Sequence, residues 1–150
     1  MILRGFFVNT DMEPYCYNAT VVRVVDGDTI RLDIDLGFDI VLRNQSVRLF
    51  KVDTPESRTR DLKEKSAGLL AKDVVNNFAP VGSKVIVKTA LDSKGKFGRL
   101  LGTLITECNN NINEYLIQHN YAVEYNGQAK DQVKEEHERN FEILTKKGLL

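Results

Sequence analysis

Several residue types that often define a class of protein are scarce in this sequence. It has no tryptophan, three prolines and two cysteines, Cys16 and Cys108, among its 150 residues. Two isolated cysteines without a C-x-x-C spacing argue against a disulfide scaffold and a cysteine-rich zinc site. The few prolines and a charged fraction of 28 % are typical of a folded globular chain and not of a disordered one.

Long apolar runs and an excess of either charge are also missing. No stretch approaches the roughly 20 apolar residues that a membrane span requires, so we expect no membrane partner. Arg4 and Gly5 interrupt the apolar start and no small-residue cleavage site follows, so we expect no signal peptide and a cytoplasmic location. Lys plus Arg and Asp plus Glu both total 21, which leaves a formal net charge of zero. Any phosphate binding must therefore come from a local site and not from bulk positive charge.

The hydrophobic pattern changes from strand-like to helical along the chain. Alternation and β-branched residues predict strands at residues 15–25, 30–36, 40–42, 47–52, 85–89 and 100–105. Helical spacing predicts a first helix at residues 67–78, which Pro80 stops, and a second helix that begins at about Asn111. A third helix is predicted at residues 131–147, with Gly148 as its stop. This order predicts an α+β domain built around a small, partly open barrel.

Three carboxylates stand out because they follow predicted strand ends. Asp28, Asp53 and Glu56 are oxygen donors of the kind that hard cations such as Ca²⁺ prefer. Pro55 fixes a turn, so Asp53 and Glu56 can project from one rigid corner. Taken singly, each segment has a simpler interpretation: a hairpin turn around Asp28, and a strand-ending turn after Asp53.

Two arginines accompany these carboxylates. Arg48 lies in an apolar strand, and its alternation partners Phe50 and Val52 look buried, so its side chain is predicted to point inward and to need an anionic partner. Its alternative role is an internal ion pair with an aspartate. Arg99 follows Phe97-Gly98 at a strand entrance, where an ordinary surface arginine is the alternative. Two guanidinium groups and a metal ion suit the negative charge of a phosphodiester transition state.

Other catalytic signatures give little support to a different chemistry. The sequence contains no G-x-S-x-G, P-loop or H-E-x-x-H motif. His119 and His137 are too far apart for a local metal motif, and we expect both to be solvated on helices.

The three polar segments together resemble the thermonuclease family, the staphylococcal-nuclease-like domain. The resemblance rests on Asp-Gly-Asp-Thr at 26–29, Arg-Leu-Phe-Lys-Val-Asp-Thr-Pro-Glu at 48–56 and Lys-Phe-Gly-Arg at 96–99. It implies a small five-stranded OB-like β-barrel with three helices at residues 15–150, after an N-terminal extension of uncertain structure at residues 1–14. It also implies calcium-dependent cleavage of DNA and RNA with little sequence specificity, leaving 3′-phosphates.

The resemblance also implies a role for individual residues. Asp28, Asp53 and the backbone carbonyl of Thr54 match metal ligands, and Glu56 matches the residue that holds the attacking water. Arg48 and Arg99 match the phosphate-clamping arginines. Lys96, Phe97 and Tyr125 match substrate contacts, and Phe97 stands where the family often has tyrosine. Asp26 matches a supporting acidic position.

Partners and alternatives follow from the same resemblance. DNA and RNA are the expected partners, and we expect a monomer without an obligate protein partner. The alternative function is a non-catalytic nucleic-acid-binding OB-like module. Because no signal peptide is expected and a nonspecific nuclease is hazardous to its own cytoplasm, one hypothesis for its role is a virus-encoded enzyme that acts inside a host cell.

Overall fold

The computed structural model of the protein describes residues 13–90 and 100–150. The predicted extension at residues 1–14 therefore falls almost wholly outside the described residues. Three of the predicted site residues, Lys96, Phe97 and Arg99, also lie outside them.

The strands of the described residues form a closed barrel and one small sheet. The strands are β1 (Cys16–Asp26), β2 (Thr29–Asp35), β3 (Val41–Leu49), β4 (Val52–Asp53), β5 (Lys84–Ala90), β6 (Leu100–Thr106) and β7 (Val123–Glu124). The barrel order is β1-β2-β3-β6-β5, and β5 returns to pair with β1. Neighbouring barrel strands are antiparallel except for β3 and β6, which run parallel. The predicted small β-barrel is confirmed, and in the described residues it is closed and not partly open.

Three helices are present in the described residues, as the sequence predicts. They are α1 (Leu62–Phe78), α2 (Ile112–Gln118) and α3 (Lys130–Lys146). The side chain of Asp61 caps α1 by accepting from two backbone N–H groups, and Asn111 caps α2 by accepting from Glu114. Gly148 has a positive φ of 75°, a left-handed conformation that favours glycine and ends α3. No helix in the described ranges is both long and apolar enough to cross a membrane.

Apolar side chains from all five barrel strands fill the interior. Ile30, Leu32 and Ile34 alternate along β2 and are almost completely buried, as their period of two predicts. Helix α1 contributes Val75, and α2 contributes Leu116. A five-stranded barrel is narrow enough for side chains to fill, so functional groups have to lie outside it, at the strand ends.

The sequence pattern missed two features beside the functional region. One is β7, which pairs antiparallel with β4 through Val52–Glu124 and Asp53–Val123. The other is Asn113, a buried side chain that accepts from Leu104 N and donates to the carbonyl oxygens of Phe50 and Gly102. These contacts tie the chain between β3 and β4 to the barrel and so fix where Asp53 emerges.

Candidate active site

The β1–β2 hairpin presents Asp28 at one end of the barrel. Asp28 carboxylate oxygens accept hydrogen bonds from Thr29 Oγ1 at 3.0 Å and from the backbone N–H of Thr54 at 3.3 Å. The register of β2 and β3 places Thr29 opposite Arg48, and the Leu49 N–H donates to the Asp28 carbonyl. Residues far apart in sequence therefore meet at one corner.

Two glycines allow the turn after β4 to sit directly on helix α1. A Cβ on Gly68 would lie 2.6 Å from the Pro55 carbonyl oxygen, closer than two such atoms can approach. A Cβ on Gly27 would lie 2.8 Å from Ala71 Cβ and 2.9 Å from Thr54 Cγ2. Close packing at both glycines brings the β1–β2 hairpin, the turn and α1 together.

A side-chain hydrogen bond also joins the hairpin to this turn. The buried Ser57 hydroxyl donates to Asp26 Oδ1. Asp26 thus has a defined structural partner, which fits the supporting position that the sequence analysis gave it. Together with the Thr54–Asp28 bond, this contact fixes the spacing of the two acidic segments.

Arg48 lies between the two predicted metal carboxylates. Its Nη2 is 3.3 Å from Asp53 Oδ1, and its Nη1 is 3.8 Å from Asp28 Oδ2. Nη2 also donates to the Val52 carbonyl oxygen at 3.3 Å. The arginine side chain is 25 % exposed, so it is partly withdrawn from water and paired with both aspartates. The predicted ion pair is observed. The predicted inward orientation is wrong, because the neighbours of Arg48 on both sides in β3 fill the barrel interior and Arg48 therefore lies on the other face of the strand.

Glu56 is surrounded by other carboxylates. Partial desolvation of its carboxyl group is the main cause that raises the pKa of Glu56 above the ordinary value of 4.5. The negative charges of Asp28, Asp26, Glu64 and Asp53 raise this pKa further. A carboxylate whose pKa is moved toward neutral pH is better matched to accepting a proton from water.

The prediction that His137 is solvated is wrong. Its Nε2 lies 2.7 Å from Asp53 Oδ2, and its side chain is only 12 % exposed. Val133 and Phe141 are one helical turn before and after it, and both are buried on the inward face of α3. That spacing of four residues was the sequence signal that could have placed His137 inward. The same prediction for His119 is confirmed: this residue is exposed, and its ring stacks on Tyr115 with ring centroids 4.1 Å apart.

A cleft of about 300 Å³ separates the turn at residues 53–56 from α3. Its walls include Glu56, His137 and two exposed lysines of α3, Lys130 and Lys134. Tyr125 does not line this cleft; it follows β7, where its N–H donates to the Lys51 carbonyl. The predicted substrate contact of Tyr125 therefore stays a prediction.

The chemistry of the gathered groups fits a hard cation. Asp28, Asp53 and the Thr54 carbonyl would supply oxygen ligands only, which Ca²⁺ prefers. Besides desolvation, neighbouring carboxylates raise the pKa of Glu56, and they form a local excess of negative charge that a cation would relieve. Within residues 13–90 and 100–150, no three His, Cys, Asp or Glu side chains are arranged to hold a metal ion. The fit of this site to a metal ion thus depends on two carboxylates and one backbone carbonyl.

Comparison with known proteins finds similarity to a family model and to a bacterial endonuclease. Residues 46–148 match the model of a family described as staphylococcal nuclease homologue. The chain is 36 % identical over 114 residues to endonuclease YhcR of Bacillus subtilis (strain 168), an alignment that covers 73 % of this chain. The chain matches only 9 % of the length of that relative. The family match includes Arg48, Asp53 and Glu56 and begins after Asp28, which the tertiary structure brings beside them. The chain belongs to the staphylococcal nuclease homologue family.

Proposed function

We propose that this protein is a calcium-dependent nuclease that hydrolyses phosphodiester bonds of DNA and RNA with little sequence specificity. The observation that carries the proposal is that Asp53 and Glu56 line one cleft, while two other segments bring Arg48 against Asp53 and Asp28 against Arg48 and the Thr54 N–H. Family membership and the name of the relative, an endonuclease, support the same reaction class.

Each residue has a distinct task in this proposal. Asp28, Asp53 and the Thr54 carbonyl would hold Ca²⁺, which when bound supplies Lewis-acid polarisation of the scissile phosphate. Glu56 orients the attacking water and accepts its proton, a role that suits its raised pKa. Arg48 donates N–H groups to the phosphate oxygens on which negative charge grows. Arg99, which lies outside the described residues, is proposed for the same task on the basis of the sequence motif.

The products follow from the bond that breaks. Water adds to phosphorus while its proton passes to Glu56, and the bond from phosphorus to the 5′ oxygen breaks. The departing 5′ oxygen takes up a proton from solvent, so that a 3′-phosphate and a 5′-hydroxyl remain. The 3′-phosphate product is proposed from the family resemblance. Lys96, Phe97 and Tyr125 are proposed as substrate contacts on the same basis.

One observation favours a second candidate, a nucleic-acid-binding module without catalysis. Both carboxylate oxygens of Asp53 already have protein partners, Arg48 and His137. If these contacts persist in solution, Asp53 would be a structural ion-pair partner and not a metal ligand. For the proposed nuclease, Asp53 must either bind the metal ion while it remains paired with Arg48 or separate from Arg48 when metal and substrate bind.

The test is cleavage of supercoiled plasmid and of single-stranded RNA by the full chain. We expect cleavage with Ca²⁺, loss of cleavage with excess chelator, and products that a 3′-phosphatase converts to 3′-hydroxyls. A Glu56→Gln variant serves as the catalytically impaired control. Binding without cleavage under all metal conditions would support the second candidate, and full activity in chelator would contradict the calcium assignment. The monomeric state, the cytoplasmic location and the origin in a virus stay predictions.

A further inference from the structure

His137 connects helix α3 to the acidic side of the cleft. The contact between His137 Nε2 and Asp53 Oδ2, at 2.7 Å, joins residues 84 positions apart in sequence. The imidazole packs against Phe141, with ring centroids 6.2 Å apart and the planes inclined by 22°. The aromatic contact and the position between two buried helix residues hold the ring at a defined place on α3.

The two carboxylate oxygens of Asp53 contact side chains from two different elements. Oδ1 accepts from Arg48 Nη2 of strand β3, and Oδ2 faces His137 Nε2 of helix α3. A carboxylate with one bonded partner can rotate about its terminal torsion, whereas two fixed partners select one plane. Barrel and helix together therefore set the direction in which Asp53 presents its remaining lone pairs.

The chemistry of the contact assigns the hydrogen on the ring. An ionised carboxylate only accepts hydrogen bonds, so Nε2 is the donor to Asp53. The other ring nitrogen, Nδ1, is buried and has no hydrogen-bond partner among the described residues. A buried polar atom without a partner is unfavourable, so burial alone gives no reason for a histidine at this position. A leucine would fill the space without that cost, and what the histidine adds is the N–H donor.

We propose that His137 is a positioning residue that orients Asp53 for metal binding, an inference that rests on the proposed calcium-dependent function. Hydrogen-bonded partners of ligating carboxylates typically change metal affinity or activity by 10- to 100-fold when removed. Helix α3 is thereby part of the catalytic site, because it supplies one of the two groups that orient a metal ligand.

The proposal is tested by Ca²⁺ binding to the full chain, measured by isothermal titration calorimetry without substrate. His137→Leu fills the same space with an apolar side chain but removes the donor, and we expect Ca²⁺ affinity to fall about 10- to 100-fold. His137→Gln retains an N–H donor, so its affinity should lie within a few-fold of the wild-type value. His119→Leu removes the other histidine, whose ring stacks on Tyr115, and should leave Ca²⁺ affinity unchanged.

The variants separate this proposal from a purely structural role and from failure of the proposed function. If Leu and Gln variants weaken Ca²⁺ binding equally, or if both bind it normally, the positioning role is overturned. If the Leu variant does not fold, the Gln variant decides alone: near-normal binding supports the proposal and a large loss overturns it. If wild-type protein binds no Ca²⁺ and cleaves nothing with it, the proposed function itself fails. If the wild-type protein binds Ca²⁺ and the His137→Leu variant binds it equally well, only the inference about His137 is overturned.

Discussion

The two walls of the cleft differ in how far the sequence alone predicts their functional residues. The barrel wall, formed by the turn after β4 and by α1, carries Asp53 and Glu56. Arg48 and Asp28 support this wall through their contacts with Asp53 and with the Thr54 N–H. All four side chains belong to short sequence motifs at strand ends. The wall formed by α3 carries His137, Lys130 and Lys134 in a highly charged helix without a recognisable motif. Motifs therefore revealed the groups that share a turn or a strand end, while the opposite wall required knowledge of how α3 docks.

The largest effect should come from the base on the barrel wall. Glu56→Gln keeps the size of the side chain but cannot accept the proton, so we expect kcat to fall by roughly 10²- to 10⁴-fold. The measurement is kcat on single-stranded DNA at saturating Ca²⁺. Glu138→Gln, on the α3 wall of the same cleft, is the matched control and should retain kcat within a few-fold. Equal rates for Glu56→Gln and wild type would remove Glu56 from the chemistry.

A slightly smaller loss is expected at Arg48, which is paired with Asp53 of the same wall. Arg48→Lys keeps the positive charge but loses the planar fork that spans Asp53 and Asp28, so kcat should fall roughly 10²- to 10³-fold. Arg43→Lys changes an exposed arginine paired with Asp33 and should leave kcat unaltered. Thermal melts of both variants separate lost chemistry from lost stability. A change in KM alone would mean that Arg48 only holds substrate.

Close packing beneath the turn predicts an effect without removing any functional group. Gly68→Ala improves helix propensity, but its methyl group would collide with the backbone of Pro55 and Glu56. We expect a loss of about 1–3 kcal/mol in the free energy of unfolding, typical of overpacking, and about 10-fold in kcat. Ser66→Ala, at an exposed position of the same helix, should cost neither. Unchanged melting and kcat for Gly68→Ala would show that turn and helix can separate freely.

The α3 wall should affect substrate binding more than the chemical step. Removing Lys130 and Lys134 together by alanine should raise KM for single-stranded DNA a few-fold and leave kcat nearly constant. The slope of log KM against log salt should decrease by roughly 1 to 2, because each phosphate contact contributes about 0.7 for single strands. The double variant Lys146→Ala and Lys147→Ala, at the far end of α3, is the control. An unaltered salt slope would show that these lysines do not meet the phosphate backbone.

The smallest expected change is a shift in the titration of Glu56. Its raised pKa means that the carboxyl group loses its negative charge as the pH falls through a value above 4.5. Glu64→Gln removes one of the negative charges that raise this pKa, so the midpoint should move to lower pH. The measurement is the carboxyl ¹³C shift of Glu56 in calcium-free protein, with Asp61→Asn as a comparison. A midpoint that does not move would mean that Glu64 is too well screened to influence Glu56.

The barrel wall was predictable because its signals are local. Alternation in β2, the hairpin turn around Asp28 and the cap at Asn111 each depend on a few neighbouring residues, and all three are present in the structure. The two-residue strand β7 escaped prediction because its pairing with β4 is a tertiary contact. The burial of Asn113 was not predicted, because a polar side chain is buried only when specific partners satisfy its hydrogen bonds, and those partners are distant in sequence.

By itself, the sequence determined the barrel with its helices, the acidic and basic motif residues and the resemblance to a nuclease family. These features follow from periodicity, turn chemistry and residue type, which are properties of short segments. The tertiary structure alone decided that Asp28 meets Thr54, that Arg48 bridges two aspartates and that His137 reaches Asp53. Such contacts depend on strand register and on the docking of α3, because hydrogen bonds and ion pairs form only between groups that the whole fold brings within a few ångströms.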